Sequence, residues 1–198
     1  MLRIHCAVYA AGDYRSSWKG NVINLVFAGV ALFYGGGLQW WAADGEAAWQ
    51  LSGGVLEATG AGQGFLVSDA EYADFHLQLE FWVDATTNSG VFIRCRDRNR
   101  IHPDSCLELN IWDEHPRQEA RTGAIVFRAM PPLAHVETVG RWNTLQVVAR
   151  GTRIEVRING SLTAQLEDAE TTGGFIALQH WETGVVKFRN LVLTSLEK

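Results

Sequence analysis

Hydrophobic and polar positions alternate with a period of two along most of the chain from residue 30 onward, and no segment sustains a helical period beyond about two turns. The clearest case is 75–83, where Phe75, Leu77, Leu79 and Phe81 alternate with His76, Gln78 and Glu80. The same pattern predicts strands over 30–34, 49–51, 55–59, 65–67, 75–83, 90–96, 106–112, 124–130, 143–150, 153–158, 161–166, 174–180 and 185–195. Turn residues separate them: Ser52-Gly53-Gly54, Ala61-Gly62, Thr87-Asn88-Ser89-Gly90, Arg150-Gly151 and Asn159-Gly160. The Asn159-Gly160 pair predicts a two-residue hairpin, because both central residues of a type I′ turn need positive φ. Many short strands without helices predict an all-β sandwich, and about a dozen of them predict a jelly roll of two curved antiparallel sheets.

Before residue 30 the pattern changes. Arg15 and Lys19 precede an apolar run over 22–34, broken by Asn24 and Gly29 and followed by Gly35-Gly36-Gly37. The run has the order of a degenerate signal segment and is too short for a stable membrane span. We therefore divide the chain into an N-terminal extension over 1–29 and a jelly-roll domain over 30–198.

Within the alternating strands, Ser105-Cys106-Leu107-Glu108-Leu109-Asn110-Ile111-Trp112-Asp113 stands out. Leu107, Leu109 and Ile111 share one face; Cys106, Glu108, Asn110 and Trp112 share the other. A half-exposed strand ordinarily turns Lys, Thr or Ser to water. This one turns a carboxylate, an amide and an indole, a set suited to sugar hydroxyls and a sugar ring. Asp113 is at an odd offset from Glu108 and joins that face only if the strand bulges or ends near Trp112. On 88–96, parity groups Phe92, Arg94 and Arg96, and a guanidinium inside a sheet needs acceptors, for which Glu108 on the following strand is the candidate. That pairing reads equally as structural or as a fork for a substrate oxygen. On 173–182, Gln179 and Trp181 point away from the core as an amide and an indole for sugar contacts, whereas His180 falls on the core side as a structural residue.

Composition narrows the classes. At 198 residues the chain suits one domain with a sizeable core, with or without an appendage. A formal net charge of -5 without a Lys/Arg cluster argues against a nucleic-acid partner. Eight tryptophans suit an aromatic-lined binding surface. The three cysteines, Cys6, Cys95 and Cys106, lack zinc-site spacing. Cys95 and Cys106 fall on neighbouring predicted strands and could approach each other, but the preferred reading is two buried free thiols. Nucleophile-elbow, phosphate-loop and dinucleotide-binding motifs are missing from the sequence.

Taken in order, several short motifs resemble those of the 3-keto-disaccharide hydrolase domain family. They are Leu56-Glu57-Ala58-Thr59-Gly60, Phe65-Leu66-Val67-Ser68-Asp69 with Tyr72 and Asp74-Phe75, and the run from Asn88 to Arg94. The series continues with the run from Glu108 to Asp113, Thr122-Gly123-Ala124-Ile125, Trp142-Asn143, Asn159-Gly160, Leu178-Gln179 and Phe188-Arg189-Asn190. The resemblance spans residues 30–197. It implies a concanavalin A-like jelly roll, a secreted or periplasmic bacterial protein, and cleavage of glycosides already oxidised at C3. It places Arg94, Glu108, Asn110, Asp113 and Gln179 at the site. Many relatives have a histidine two residues after the glutamine, where this chain has Trp181, and the N-terminus lacks a clean cleavage motif.

A ketone at C3 acidifies the C2 proton, so a base can remove it while the C1 substituent leaves, and water can then add. In this scheme Glu108 or Asp113 is the base and Arg94 holds the carboxylate or the enolate. Asn110, Trp112, Gln179 and Trp181 position the carbohydrate. A divalent metal is an alternative electrophile to Arg94. Two other functions suit the same residues: a retaining glycosidase, which needs paired carboxyls about 5–5.5 Å apart, and a non-catalytic, lectin-like carbohydrate-binding module.

Overall fold

The computed structural model describes residues 8–9, 29–31, 37–129, 136–167 and 169–196. Its strands in chain order are β1 (Val8–Tyr9), β2 (Gly29–Ala31), β3 (Trp41–Gly45), β4 (Ala48–Ser52), β5 (Val55–Thr59), β6 (Gly64–Ser68) and β7 (Phe75–Val83). After these come β8 (Asn88–Cys95), β9 (Leu107–Ile111), β10 (Asn143–Arg150), β11 (Arg153–Ile158), β12 (Ser161–Leu166), β13 (Phe175–Trp181) and β14 (Val186–Ser195), with one 3₁₀ turn at Gln118–Ala120. They form two antiparallel sheets, the all-β jelly-roll sandwich that the alternation predicts. The nine-stranded sheet runs β1-β2-β14-β7-β10-β11-β12, with β5 on the β2 side of β14 and β4 beyond it. The five-stranded sheet runs β3-β6-β13-β8-β9.

The core lies between the sheets. Phe75, Leu77, Leu79, Phe81 and Val83 of β7, with Leu145 and Val147 of β10 and Phe188 of β14, meet Leu66, Val91, Ile93, Leu109, Ile111, Ile176 and Leu178 of the smaller sheet. In the nine-stranded sheet the alternate positions face water, which is why its strands show a clean period of two. The five-stranded sheet is covered on both faces. Phe65, Val67, Phe92, Cys95, Cys106 and Ala177 form a second apolar cluster on its outer side, and Ile101 of the loop after β8 packs there. Polar side chains on β9 are therefore held away from water rather than turned to it.

Three features depart from the sequence reading. Residues 41–45 form β3, where no strand is expected. The expected strand over 124–130 is instead a short stretch beside β9 that turns back: Gly123 N donates to Asn110 O at 2.9 Å, Val126 N to Glu108 O at 3.0 Å, and Ile125 N to Ala129 O at 2.8 Å. The left-handed backbone at Phe127, with φ 61°, makes this reversal. Cys95 and Cys106 form a disulfide with Cα atoms 4.2 Å apart, overturning the expected free thiols. The β8–β9 ladder continues past the strands through Arg96 N to Ser105 O at 3.1 Å, and this register, invisible in one sequence, brings the sulfurs together. Closing so short a loop stabilises the fold by about 3 kcal/mol. At the N-terminus, β2 covers the beginning of the expected strand over 30–34, whose remainder lies outside the described residues, as does most of the extension over 1–29. The Asn159-Gly160 hairpin forms as expected, with φ 50° and 79°.

Candidate functional site

The site is assembled by register on the outer face of the five-stranded sheet. Gln179 of β13 lies opposite Gly90 of β8, which lies opposite Asn110 of β9. One row away, Ala177 faces Phe92, which faces Glu108. Glu108 and Gln179 thus flank Gly90 from either side. Glu108 Oε1 and Gln179 Oε1 each lie 3.4 Å from the point that a Cβ on Gly90 would occupy, so they are at most twice that distance apart. The missing side chain leaves a methyl-sized seat over the Gly90 Cα, bordered by these two side-chain oxygens and by Leu109 O, also at 3.4 Å.

Both oxygens are chemically unsettled. Glu108 is 8% exposed, and burial pushes its carboxyl pKa up from 4.5 to about 7. Among the described residues no cation forms an ion pair with it to oppose that rise. Gln179 Oε1 is buried and accepts no hydrogen bond among the described residues. A buried carboxyl and an orphaned amide oxygen side by side are costly unless a ligand completes them.

The other expected site residues are placed differently. Arg94 does not share the face of Phe92. A β-bulge in the β8–β13 pairing, with φ 53° at Arg94, turns its fully buried side chain elsewhere. Its guanidinium donates to Gly151 O at 2.6 Å, Thr171 O at 2.8 Å and Ala73 O at 3.2 Å, and lies 3.6 Å from Asp74. The expected Arg94–Glu108 pair is not formed, because the extra residue of the bulge breaks the parity on which it rested. Asn110 commits both ends of its amide to backbone: Nδ2 donates to Ala120 O, and Oδ1 accepts from Ile111 N at 3.1 Å. Asp113 follows the end of β9 and fastens two loops, accepting Thr122 Oγ1 at 2.6 Å, Thr138 N at 2.6 Å and Thr138 Oγ1 at 2.8 Å.

Trp112 and Trp181 are both half-buried. Trp112 meets His115 edge-on with ring centroids 4.4 Å apart, and Trp181 ends β13 opposite Asn88. His180 is structural, with its ring nitrogens 3.3 Å from Gly62 O and 3.1 Å from Gly184 O. Among the described residues no group of three or more His, Cys, Asp or Glu side chains is arranged to hold a metal ion. The arrangement of these side chains offers proton transfer at Glu108 and amide recognition at Gln179.

Two residues escaped the sequence reading. Gly90 looks like a turn glycine, and only the cross-strand register shows it as a seat. Phe127 is 61% exposed on its left-handed turn, hydrogen-bonded through Val126 to the Glu108 carbonyl, with the Arg117 guanidinium 5.6 Å from its ring centroid. Parity had placed Phe127 inside a strand, so nothing in the sequence marked it as an exposed aromatic in the stretch that runs beside β9.

Several solved structures share this fold. A candidate glycosyl hydrolase from Parabacteroides distasonis matches at 26% identity and a TM-score of 0.68, covering 75% of this chain and 90% of its own. A second, from the same organism, matches at 19% identity and 0.73, covering 84% and 93%. The carbohydrate-binding module CBM66 from Bacillus subtilis shares the fold at 14% identity and 0.62, covering 79% and 96%. Among curated protein sequences nothing matches this chain. The family model of the 3-keto-alpha-glucoside-1,2-lyase-like domain matches residues 29–194, and with its sandwich fold and its motifs in order, the chain belongs to that family.

Proposed function

We propose that this protein cleaves 3-keto-glycosides, with Glu108 as the group that moves the proton and Gln179 as the residue that orients the sugar. The observation that supports this most directly is the unpaired, buried Glu108 carboxyl with its pKa near 7, facing the orphaned Gln179 oxygen across Gly90. Near neutral pH such a carboxyl is ionised often enough to accept a proton and basic enough to do so effectively. With the ketone at C3, Glu108 takes the C2 proton, the C2–H and C1–O bonds break, and C1=C2 forms. The departing oxygen takes up a proton from solvent. Addition of water across C1=C2 completes net hydrolysis. Gln179 Oε1 accepts a hydrogen bond from a sugar hydroxyl, which relieves its own lack of a partner.

A retaining glycosidase is disfavoured, because it needs a second free carboxyl, and Asp113 and Asn110 are both committed to holding loops. A module that only binds sugars gains nothing from an unpaired buried carboxyl. The Cys95–Cys106 disulfide supports export to an oxidising compartment.

The test is turnover of a 3-keto-α-glucoside by wild-type protein and by Glu108→Gln. The amide keeps the shape but cannot accept the proton, so the rate should fall by about 10²–10⁴. Wild-type kcat/KM should rise with pH to a plateau above about 7, following Glu108 ionisation. Turnover by Glu108→Gln at the wild-type rate rules out this assignment, and tight sugar binding without turnover by wild type assigns the site to a binding module.

A further inference from the structure

The outer face of the nine-stranded sheet, on the far side of the sandwich from Glu108, holds a trough of about 430 Å³ lined by Gln50, Ser52, Glu57, Trp82, Trp142 and Lys187. Its size falls within the range of small-ligand sites. The register sets most of these in one row. Gln50 faces Glu57, Glu57 faces Lys187, and Lys187 faces Trp82. Trp142 precedes Asn143, whose partner is Phe81, and so stands beside Trp82. In the next row Ser52 faces Val55, which faces Arg189, which faces Glu80.

An exposed sheet face needs only small or charged residues, so two adjacent indoles on it serve something other than the core. Their charged neighbours are paired with one another. Lys187 Nζ lies 2.8 Å from Glu57, and Arg189 binds Glu80 through two nitrogens at 2.7 and 2.9 Å. The same cations cover part of each ring: Lys187 lies 5.4 Å from the Trp82 centroid, and the Arg189 guanidinium 4.0 Å from that of Trp142. They hold the indoles in place, while the remaining ring surface lines the trough.

This arrangement selects its occupant. With each charge neutralised by its neighbour, an ionic ligand finds no free counter-charge. A neutral polyhydroxylated ring finds an amide, a hydroxyl and the outer lone pairs and protons of an ion pair for its hydroxyls, and indole surface for its C–H face. We propose that this trough is a second carbohydrate-binding site, separate from the Glu108 site, that takes one or two neutral pyranose units of an oligosaccharide. A glycan held there keeps the protein on its substrate's parent chain while the Glu108 face remains free.

Calorimetry with cellotetraose and maltotetraose, and with trigalacturonate as a charged control, tests the site on the full chain. Wild type should bind at least one neutral tetrasaccharide and not trigalacturonate. Trp82→Ala and Trp142→Ala should each weaken binding about tenfold or more. Ser52→Trp fills the trough from an exposed position without removing either indole, and it should do the same while cleaving a 3-keto-α-glucoside at the wild-type rate. Glu108→Gln should bind the tetrasaccharide as wild type does, whatever becomes of its turnover. The proposal is overturned if wild type binds neither tetrasaccharide, if it binds trigalacturonate equally well, if Ser52→Trp binds unchanged, or if binding is lost in Glu108→Gln.

Discussion

The two outer faces of the sandwich treat their carboxylates in opposite ways. On the nine-stranded sheet Glu80 is half-buried, and burial alone would raise its pKa. Hydrogen bonds from Asn190 and Arg189, with the Arg189 charge, outweigh that and hold it below its ordinary value. On the five-stranded sheet Glu108 meets the burial without the compensation, and its pKa rises to about 7. One face has settled its charges internally; the other keeps a carboxyl and an amide oxygen in want of partners. Folding explains the first arrangement and gains nothing from the second, which is why the proposed reactive site is assigned to the second.

The contrast is sharpest in turnover. Glu108→Gln should lower 3-keto-glucoside cleavage by about 10²–10⁴, whereas Glu80→Gln should leave it unchanged and cost no more than about 1 kcal/mol of stability. Equal losses in steady-state assays of both variants would erase the distinction between the faces.

A stability measurement separates Arg94 from the site. Its buried guanidinium donates through its two terminal nitrogens to three carbonyls and lies beside Asp74, so Arg94→Ala should cost about 3–5 kcal/mol in urea unfolding. A variant that folds with wild-type stability and fails only in turnover would return Arg94 to the chemistry.

Linkage gives the next effect. The folded state holds a proton on Glu108 between pH 4.5 and about 7 that the unfolded chain has already released. This contribution is therefore complete below pH 4.5 and is lost as pH rises towards 7. It is on the order of 3 kcal/mol. Urea midpoints of wild type should fall relative to those of Glu108→Gln across that window. Parallel curves would mean that burial does not raise the Glu108 pKa.

The smallest expected change concerns Gly90. An added methyl meets its neighbours at 3.4 Å, an ordinary contact, so Gly90→Ala should fold within about 1 kcal/mol of wild type. It should nonetheless raise the KM for a 3-keto-α-glucoside about tenfold by occupying the seat between Glu108 and Gln179. An unchanged KM would place the sugar elsewhere.

The strands that pack the core, such as β7 and β10, were legible in the alternation because one side meets apolar partners and the other meets water. Glu108 and Gln179 were legible for the converse reason: their polarity conflicts with the buried sheet on which they lie. Arg94, Asn110 and Asp113 are equally polar, yet a bulge and two loop attachments divert them, and those depend on the register of distant segments. Gly90 and Phe127 had no local signature at all. Period-two patterning and turn chemistry act between neighbours along the chain, so the sequence by itself determined the all-β class, most strand positions and the hairpin at Asn159-Gly160. The cysteine pairing, the burial that tunes Glu108, and the choice of which polar groups stay unpaired arise between strands far apart in sequence. Only the packed sandwich could decide them, because desolvation and partner supply are properties of the assembled neighbourhood rather than of a residue and its flanks.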